Sequence, residues 1–148
     1  MTPSLRSAGP APDVVGRLQA LFQELRADNL ALLDGVYATG VTFEDPLHRV
    51  EGLAELKAYF GRLYAAVESI RFDFDTVIAG PGEAMLTWTM RMRHGRLRSG
   101  EELALPGATH IRFAERVHYH RDYFDAGALL YERLPVLGTV IRAIRRRV

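Results

Sequence analysis

The stretch RFDFDTVIAGPGEAMLTWTMRMR, residues 71–93, decides the fold. In its first half Phe72, Phe74, Thr76 and Ile78 alternate with Arg71, Asp73 and Asp75. In its second half Ala84, Leu86, Trp88, Met90 and Met92 alternate with Thr87, Thr89, Arg91 and Arg93. A period of two marks a strand with one buried face. Gly80-Pro81-Gly82 between the halves reads as a turn, which makes the pair antiparallel.

Upstream the period is helical. Asp13 is a plausible N-cap, and Val14, Val15, Leu18, Leu21, Phe22 and Leu25 then recur on one helix face. A second, shorter helix is expected after Asp28 or Asn29, carrying Leu30, Leu33 and Tyr37 and ended by Gly40. Val41 to Glu44 reads as a short strand stopped by Asp45-Pro46. Gly52 precedes a third helix with Leu53, Leu56, Phe60, Leu63 and Val67 on one side. Downstream, His94 to Gly100 is a polar connection, and strands are expected over 101–105, 108–114 and 116–124. Helices first and antiparallel strands after suggest an α+β domain whose sheet curls around the helices and leaves one end open as a pocket.

Composition sets the limits. At 148 residues, 48% hydrophobic and 25% charged, the chain fits a single globular domain with a real core. A formal charge of +1 gives no global field that would attract nucleic acid. Basic charge is carried by arginine, with Lys57 the only lysine, as a GC-rich genome would also produce. The lack of cysteine excludes disulfides, thiolate metal sites and cysteine nucleophiles. Residues 1–12 read as a disordered tail, 13–128 as the domain and 129–148 as a basic amphipathic helix. With no signal peptide and no spanning segment in view, a cytoplasmic location is the expectation.

The chemistry concentrates in the last strand. Alternation places His118, His120, Asp122 and Phe124 on one face and Val117, Tyr119, Arg121 and Tyr123 on the other. Same-face neighbours lie roughly 6–7 Å apart at about 3.3 Å of rise per residue. This spacing suggests that His120 and Asp122 share a substrate or a water rather than a direct bond. A carboxylate on a pocket wall can act as a general acid or base. The same face turned to solvent would be ordinary polar surface. Asp45, at the end of its strand, is the second candidate, although Asp before Pro is also a common turn. His118, His120 and Asp122 could reach one ion, but no clearer ligand spacing supports a metal and none is expected. No glycine-rich phosphate loop or dinucleotide fingerprint is present, so no cofactor is expected.

Two motifs carry a resemblance. One is Tyr37-Ala38, then Phe43-Glu44-Asp45-Pro46, then Gly52, Leu56 and Phe60; the other is Arg116-Val117 followed by His120-Arg121-Asp122-Tyr123-Phe124-Asp125. In these the chain resembles the SnoaL-like branch of the nuclear-transport-factor-2-like superfamily, with its ketosteroid isomerases, limonene epoxide hydrolases and polyketide cyclases. The resemblance implies a cone: a strongly curved antiparallel sheet around three N-terminal helices, commonly a homodimer. It places Asp45 at the isomerase base and Asp122 at a catalytic Asp of the hydrolases and at the acid/base position of the cyclases. The isomerase's two oxyanion donors correspond to Leu21 and Thr109, which weighs against steroid isomerisation. The hydrolase partners fall on Met90 and Met92, or Thr89 and Arg91, and its water-holding Tyr and Asn become Phe43 and Asp45.

The expectation is therefore a small hydrophobic ligand or substrate, with Asp122, Asp45 and His120 as the catalytic candidates. Phe43, Phe60, Phe74, Trp88, Met90, His110 and His118 are the ligand-binding candidates. A cofactor-free isomerase, cyclase or hydrolase and a non-catalytic binding or dimeric interaction module both fit. In the C-terminal segment Leu134, Leu137, Val140, Ile141 and Ile144 are interleaved with Arg142, Arg145, Arg146 and Arg147. Such a helix docks on its own domain or on a dimer mate, or makes peripheral contact with an anionic membrane.

Overall fold

A computed structural model describes residues 13–94 and 101–131, the last three by backbone alone. Helix α1 spans Asp13–Glu24 and a 3-10 helix spans Leu30–Gly35. Strands β1 (Tyr37–Glu44) and β2 (Arg49–Glu51) follow, then helix α2 (Leu53–Ala66). Strands β3 (Ser69–Gly80), β4 (Glu83–Arg93), β5 (Glu102–Phe113) and β6 (Val117–Phe124) complete the sheet, and helix α3 begins at Ala126. The tail, the 95–100 connection and most of the expected C-terminal helix lie outside the described residues.

The six strands form one curved, unclosed sheet in the order β2-β1-β6-β5-β4-β3. Five pairings were open to the chain and four are antiparallel; β1 lies parallel to β6, so the sheet is mixed rather than wholly antiparallel. The parallel pair arises because the chain leaves β1 through β2 and α2 and comes back to it only after three further strands. This puts β6 in the interior of the sheet, hydrogen-bonded on both sides. Side chains mounted there are held more rigidly than on a loop.

Three expectations needed correction. Residues 30–35 make a short 3-10 helix, and Tyr37 and Gly40 belong to β1. Leu30 and Leu33 are too few to hold a longer helix, and the guanidinium of Arg17 grips the Gly35 carbonyl at 2.6 Å where the turn ends. Residues 101–105 and 108–114 are one continuous β5, because Pro106 and Gly107 stay in register with Thr89 and Trp88. In β3 the register slips between Phe74 and Val77, so Val77 turns inward while Thr76 and Ile78 face out, Ile78 at 68% exposure. An irregularity of this kind bends a strand and reverses its alternation.

Val15, Leu18, Leu21 and Phe22 of α1 and Leu56 and Phe60 of α2 pack on the inner sheet face with Val41, Leu86, Ile111 and Val117. Truncating one of these leucines to alanine costs about 2–5 kcal/mol. Gly52, at φ 89°, makes the left-handed step from β2 into α2. A second cluster of Trp88, Met90, Met92, Leu103 and Leu105 occupies the other part of that face. Ile70, Phe72 and Phe74 touch both clusters, and the recess described next opens along this seam.

Candidate functional site

Cross-strand pairing sets which side chains of β6 face inward. His120 lies opposite Ile111 and Asp122 opposite Thr109, and both partners are buried. The register slips where Phe113 meets Val117 and Arg112 meets Tyr119. His118 is the extra residue, so Val117 takes the inward position and His118 is exposed. The expected inner face of His118, His120, Asp122 and Phe124 is thus corrected at its first member.

His120 and Asp122 bond directly, Nε2 to Oδ1 at 2.7 Å. The expected wider separation applies to the backbone; the two side chains bridge it. His120 is 1% exposed, boxed by the rings of Phe22, Tyr37 and Phe43. Its Nδ1 meets the Tyr37 hydroxyl at 2.8 Å. Burial and the Asp122 charge hold the Tyr37 hydroxyl well above the usual tyrosine range. Tyr37 therefore keeps its proton; with a neutral imidazole whose Nε2–H points at the Asp122 carboxylate, the free Nδ1 is the acceptor for the Tyr37 hydroxyl.

A second chain of donors reaches the same oxygen. The Trp88 indole N–H donates to Thr109 Oγ1 at 2.8 Å, and the Thr109 hydroxyl donates to Asp122 Oδ1 at 2.6 Å. Indole is a donor only, so the direction of this chain is settled. Gly107 makes the geometry possible: a Cβ there would stand 2.3–2.8 Å from Trp88 ring carbons. Asp122 Oδ2 has no hydrogen-bond partner among the described residues.

Asp45 is built differently. Its Oδ1 accepts from the backbone N–H groups of Leu47 and His48, each at 2.8 Å, and its own N–H donates to His48 O at 2.9 Å. Its Oδ2 takes a very short bond from the Tyr59 hydroxyl. This is the turn that Asp-Pro suggested, closing the β1–β2 hairpin. Burial, followed by the bond to Asp45, pushes the Tyr59 hydroxyl well above the usual tyrosine range.

Asp45 and Asp122 border one recess of about 80 Å³, walled by Phe22, Phe43, Phe60, Phe72, Trp88, Met90, Met92 and Phe124. A smaller recess that shares Phe22, Phe72, Trp88 and Asp122 with it reaches Phe74, Thr109 and His120. Of the candidates read from the sequence, Phe43, Phe60, Trp88 and Met90 thus come together with both carboxylates, and Phe74 lines the smaller recess. His110 and His118 do not join them. His110 faces the outer side of the sheet, 2.6 Å from Glu83 and edge-on to Tyr119. His118 borders an outer groove with Asp34 and Arg116. Among the described residues no three His, Cys, Asp or Glu side chains converge on a possible metal position.

Sequence reasoning missed Tyr59 and Tyr64 at this recess. Both lie at helical spacing with Leu56 and Phe60 on the inward face of α2. That spacing was readable; tyrosines on a core-facing stripe, opposite strand carboxylates, were the overlooked signal. The Tyr64 hydroxyl is buried and has no hydrogen-bond partner among the described residues. Burial first, and the Asp122 charge second, hold it well above the usual tyrosine range.

Solved structures share this fold. A candidate SnoaL-like polyketide cyclase from Jannaschia sp. CCS1 is 17% identical, with a TM-score of 0.71 over 84% of this chain and 94% of its own. A hypothetical protein of ketosteroid isomerase-like fold from Catenulispora acidiphila, in complex with trimethylamine, is 18% identical, with a TM-score of 0.72 over 84% and 95%. An LEH-like epoxide hydrolase from M. tuberculosis is 16% identical, with a TM-score of 0.64 over 76% and 82%. No curated protein matches in sequence. At these identities the likeness establishes the fold alone. The family model of the SnoaL-like domain matches residues 18–117, from the middle of α1 to the first residue of β6, and the chain belongs to that SnoaL-like family.

Proposed function

We propose that the chain is a cofactor-free enzyme that moves a proton on a small hydrophobic molecule, in an isomerisation, cyclisation or hydration, with Asp122 as the acid–base group. One observation carries this reading. Asp122 stands at an apolar recess with Oδ1 fixed by Thr109 and His120 and with Oδ2 unbonded among the described residues. A general base needs such a fixed but unoccupied lone pair. The two donors on Oδ1 orient the carboxylate without using the oxygen that does the work. Tyr37 keeps its proton and so acts as an orienting group for His120, not as a proton source. Asp45, with both oxygens engaged, shapes the edge of the recess instead of carrying the proton.

Asp122→Asn tests the proposal. Asparagine keeps an oxygen for Thr109 and His120 but cannot hold the transferred proton. A panel of small β,γ-unsaturated ketones, β-dicarbonyls and epoxides supplies the assay. Turnover found with the wild type should fall about 10²–10⁴-fold in the variant. Undiminished turnover removes Asp122 from the chemistry.

The recess volume of about 80 Å³ favours a second reading, a binding module without chemistry. Drug-sized pockets run to about 300–1,000 Å³. In that case Asp122 completes a polar network in the core, the wild type turns over no member of the panel, and Asp122→Asn leaves ligand binding intact.

A further inference from the structure

Helices α1 and α2 pack on one part of the inner sheet face and leave the other part to a different cover. That other part is the cluster of Trp88, Met90, Met92, Leu103 and Leu105, all buried, with Leu103 4% and Leu105 2% exposed. Outside the strands, the apolar residues packed against it among the described residues are Val67, at the end of α2, and Ala128 of α3. Strand β6 stops at Phe124 opposite Gly107, so residues 102–106 of β5 pair with β4 alone. One valine and one alanine are a small cover for so apolar a face, which needs a further layer. The chain is already delivered to the place. Asp125 Oδ1 accepts from the Ala128 N–H at 3.1 Å as α3 begins, and Ala128 rests on the cluster. Residues 132–148 come next, with Leu134, Leu137, Val140, Ile141 and Ile144 at helical spacing. At 1.5 Å per residue such a segment reaches about 25 Å. From β6 to β3 is three strand spacings, about 14 Å.

We propose that residues 132–148 fold back over this end of the sheet of their own chain and form the roof of the recess. Leu137, Val140, Ile141 and Ile144 seat on Met92, Leu103 and Leu105, and Arg142 and Arg146 stay in solvent. Trp88, Met90, Met92 and Phe124 belong both to the recess wall and to the covered face. A segment lying on that face therefore borders the mouth of the recess, and it sets what enters. The tether favours the chain's own segment over a second copy or a membrane. A short linker to α3 holds the segment at an effective concentration on the order of millimolar. Covering the face also removes apolar side chains from water, which drives the docking. The proposal goes beyond the role of Asp122 and stands whether or not the recess carries out chemistry.

The methionines supply the test. Met92 is 7% exposed in the cluster, and Met85 is 38% exposed on the outer face. The two lie about 23 Å apart along β4, at about 3.3 Å per residue. Full-length protein with carbon-13 methionine methyls is mixed with a soluble gadolinium chelate, and methyl relaxation is read by NMR. In the wild type Met92 should be shielded and Met85 relaxed. Leu137→Asp/Ile141→Asp should strip the shielding from Met92 and leave Met85 as it was. A second variant keeps the apolar side intact, so it decides even where the aspartate variant fails to fold. The chain has no cysteine, so Arg146→Cys carries a nitroxide at one known place. That label should broaden the Met92 signal and spare Met85. A Met92 signal that stays sharp beside the label overturns the proposal, and so does full shielding of Met92 in a folded aspartate variant. Broadening that appears when label and carbon-13 methionines sit on different chains gives the roof to a second copy instead. A label that leaves Met92 sharp in solution and binds vesicles of phosphatidylcholine and phosphatidylglycerol gives the segment to a membrane; either result overturns the proposal. None of these readouts uses turnover, so they stand apart from the Asp122→Asn result.

Discussion

Asp45 sits where a strand ends, and Asp122 sits on a strand that runs through the interior of the sheet. Both border the same recess. The turn at Asp45 needs its carboxylate: two backbone N–H groups and the Tyr59 hydroxyl occupy both oxygens. The backbone of Asp122 is paired with Thr109 of β5, and its side chain makes no bond to backbone among the described residues. Among the described residues side chains alone hold Asp122, and they hold one oxygen of two. The turn at a strand end consumes a carboxylate in building itself, whereas an interior strand leaves one available. This is the physical ground for assigning proton transfer to Asp122 and architecture to Asp45.

Substitution should separate the two roles. The largest effect is the loss of about 10²–10⁴-fold in turnover expected for Asp122→Asn, with stability little changed. Asp45→Ala should act in the opposite sense. It strips partners from two backbone donors and from the partly buried Tyr59 hydroxyl, at a cost of about 2–3 kcal/mol in urea unfolding. Turnover per folded molecule should then fall far less than in Asp122→Asn. A fully stable but inactive Asp45→Ala protein would reverse the assignment.

The next effect concerns how Asp122 is oriented. Gly107→Ala places a methyl group 2.3–2.8 Å from Trp88 ring carbons, and flanking backbone pairing limits relaxation. Overpacking of this kind costs about 1–3 kcal/mol. Because Trp88 leads through Thr109 to Asp122, turnover should drop with stability and the Trp88 fluorescence should shift. A Gly107→Ala variant with wild-type fluorescence and turnover would show that the Trp88 chain does not position the carboxylate.

Much of this was legible in residues 71–93 and 116–124. Periods of two and 3.6 located the strands and the two α-helices, and alternation brought His120, Asp122 and Phe124 to one face. The errors cluster where a register slips. The irregularity after Phe74 reverses Ile78, and the extra residue at His118 removes that histidine from the recess. A slip is decided by the neighbouring strand, and no local pattern announces it. Pro106-Gly107 looked like a break because those residues usually end strands. Here Gly107 is kept for the close approach of Trp88, a contact between β4 and β5 that alternation within either strand does not reveal. The Asp45 turn was readable from Asp-Pro itself; its bond to Tyr59 on α2 depends on tertiary packing.

The smallest effect at neutral pH tests the tyrosines that serve each carboxylate, Tyr59 for Asp45 and Tyr37 for Asp122 through His120. Tyr37→Phe removes one buried hydrogen bond and should cost about 1 kcal/mol at pH 7. Alkaline solution narrows this difference and then reverses it. The folded protein holds the Tyr37 hydroxyl well above its unfolded value, because burial and the Asp122 charge oppose a phenolate. Below about pH 10 both states keep the proton, so this tyrosine contributes no pH dependence. Above about pH 10 the unfolded chain ionises first, and stability falls by up to about 1.4 kcal/mol per pH unit for each such group until the folded value is reached. Tyr59 and Tyr64 are shifted in the same direction and add to the slope. Urea unfolding of wild type, Tyr37→Phe and Tyr59→Phe across the alkaline range should show a steep wild-type decline and a shallower one in each variant. If Tyr37→Phe is as alkali-sensitive as the wild type, the Tyr37 hydroxyl is not held protonated against His120. The orientation assigned to Asp122 then loses one of its two supports.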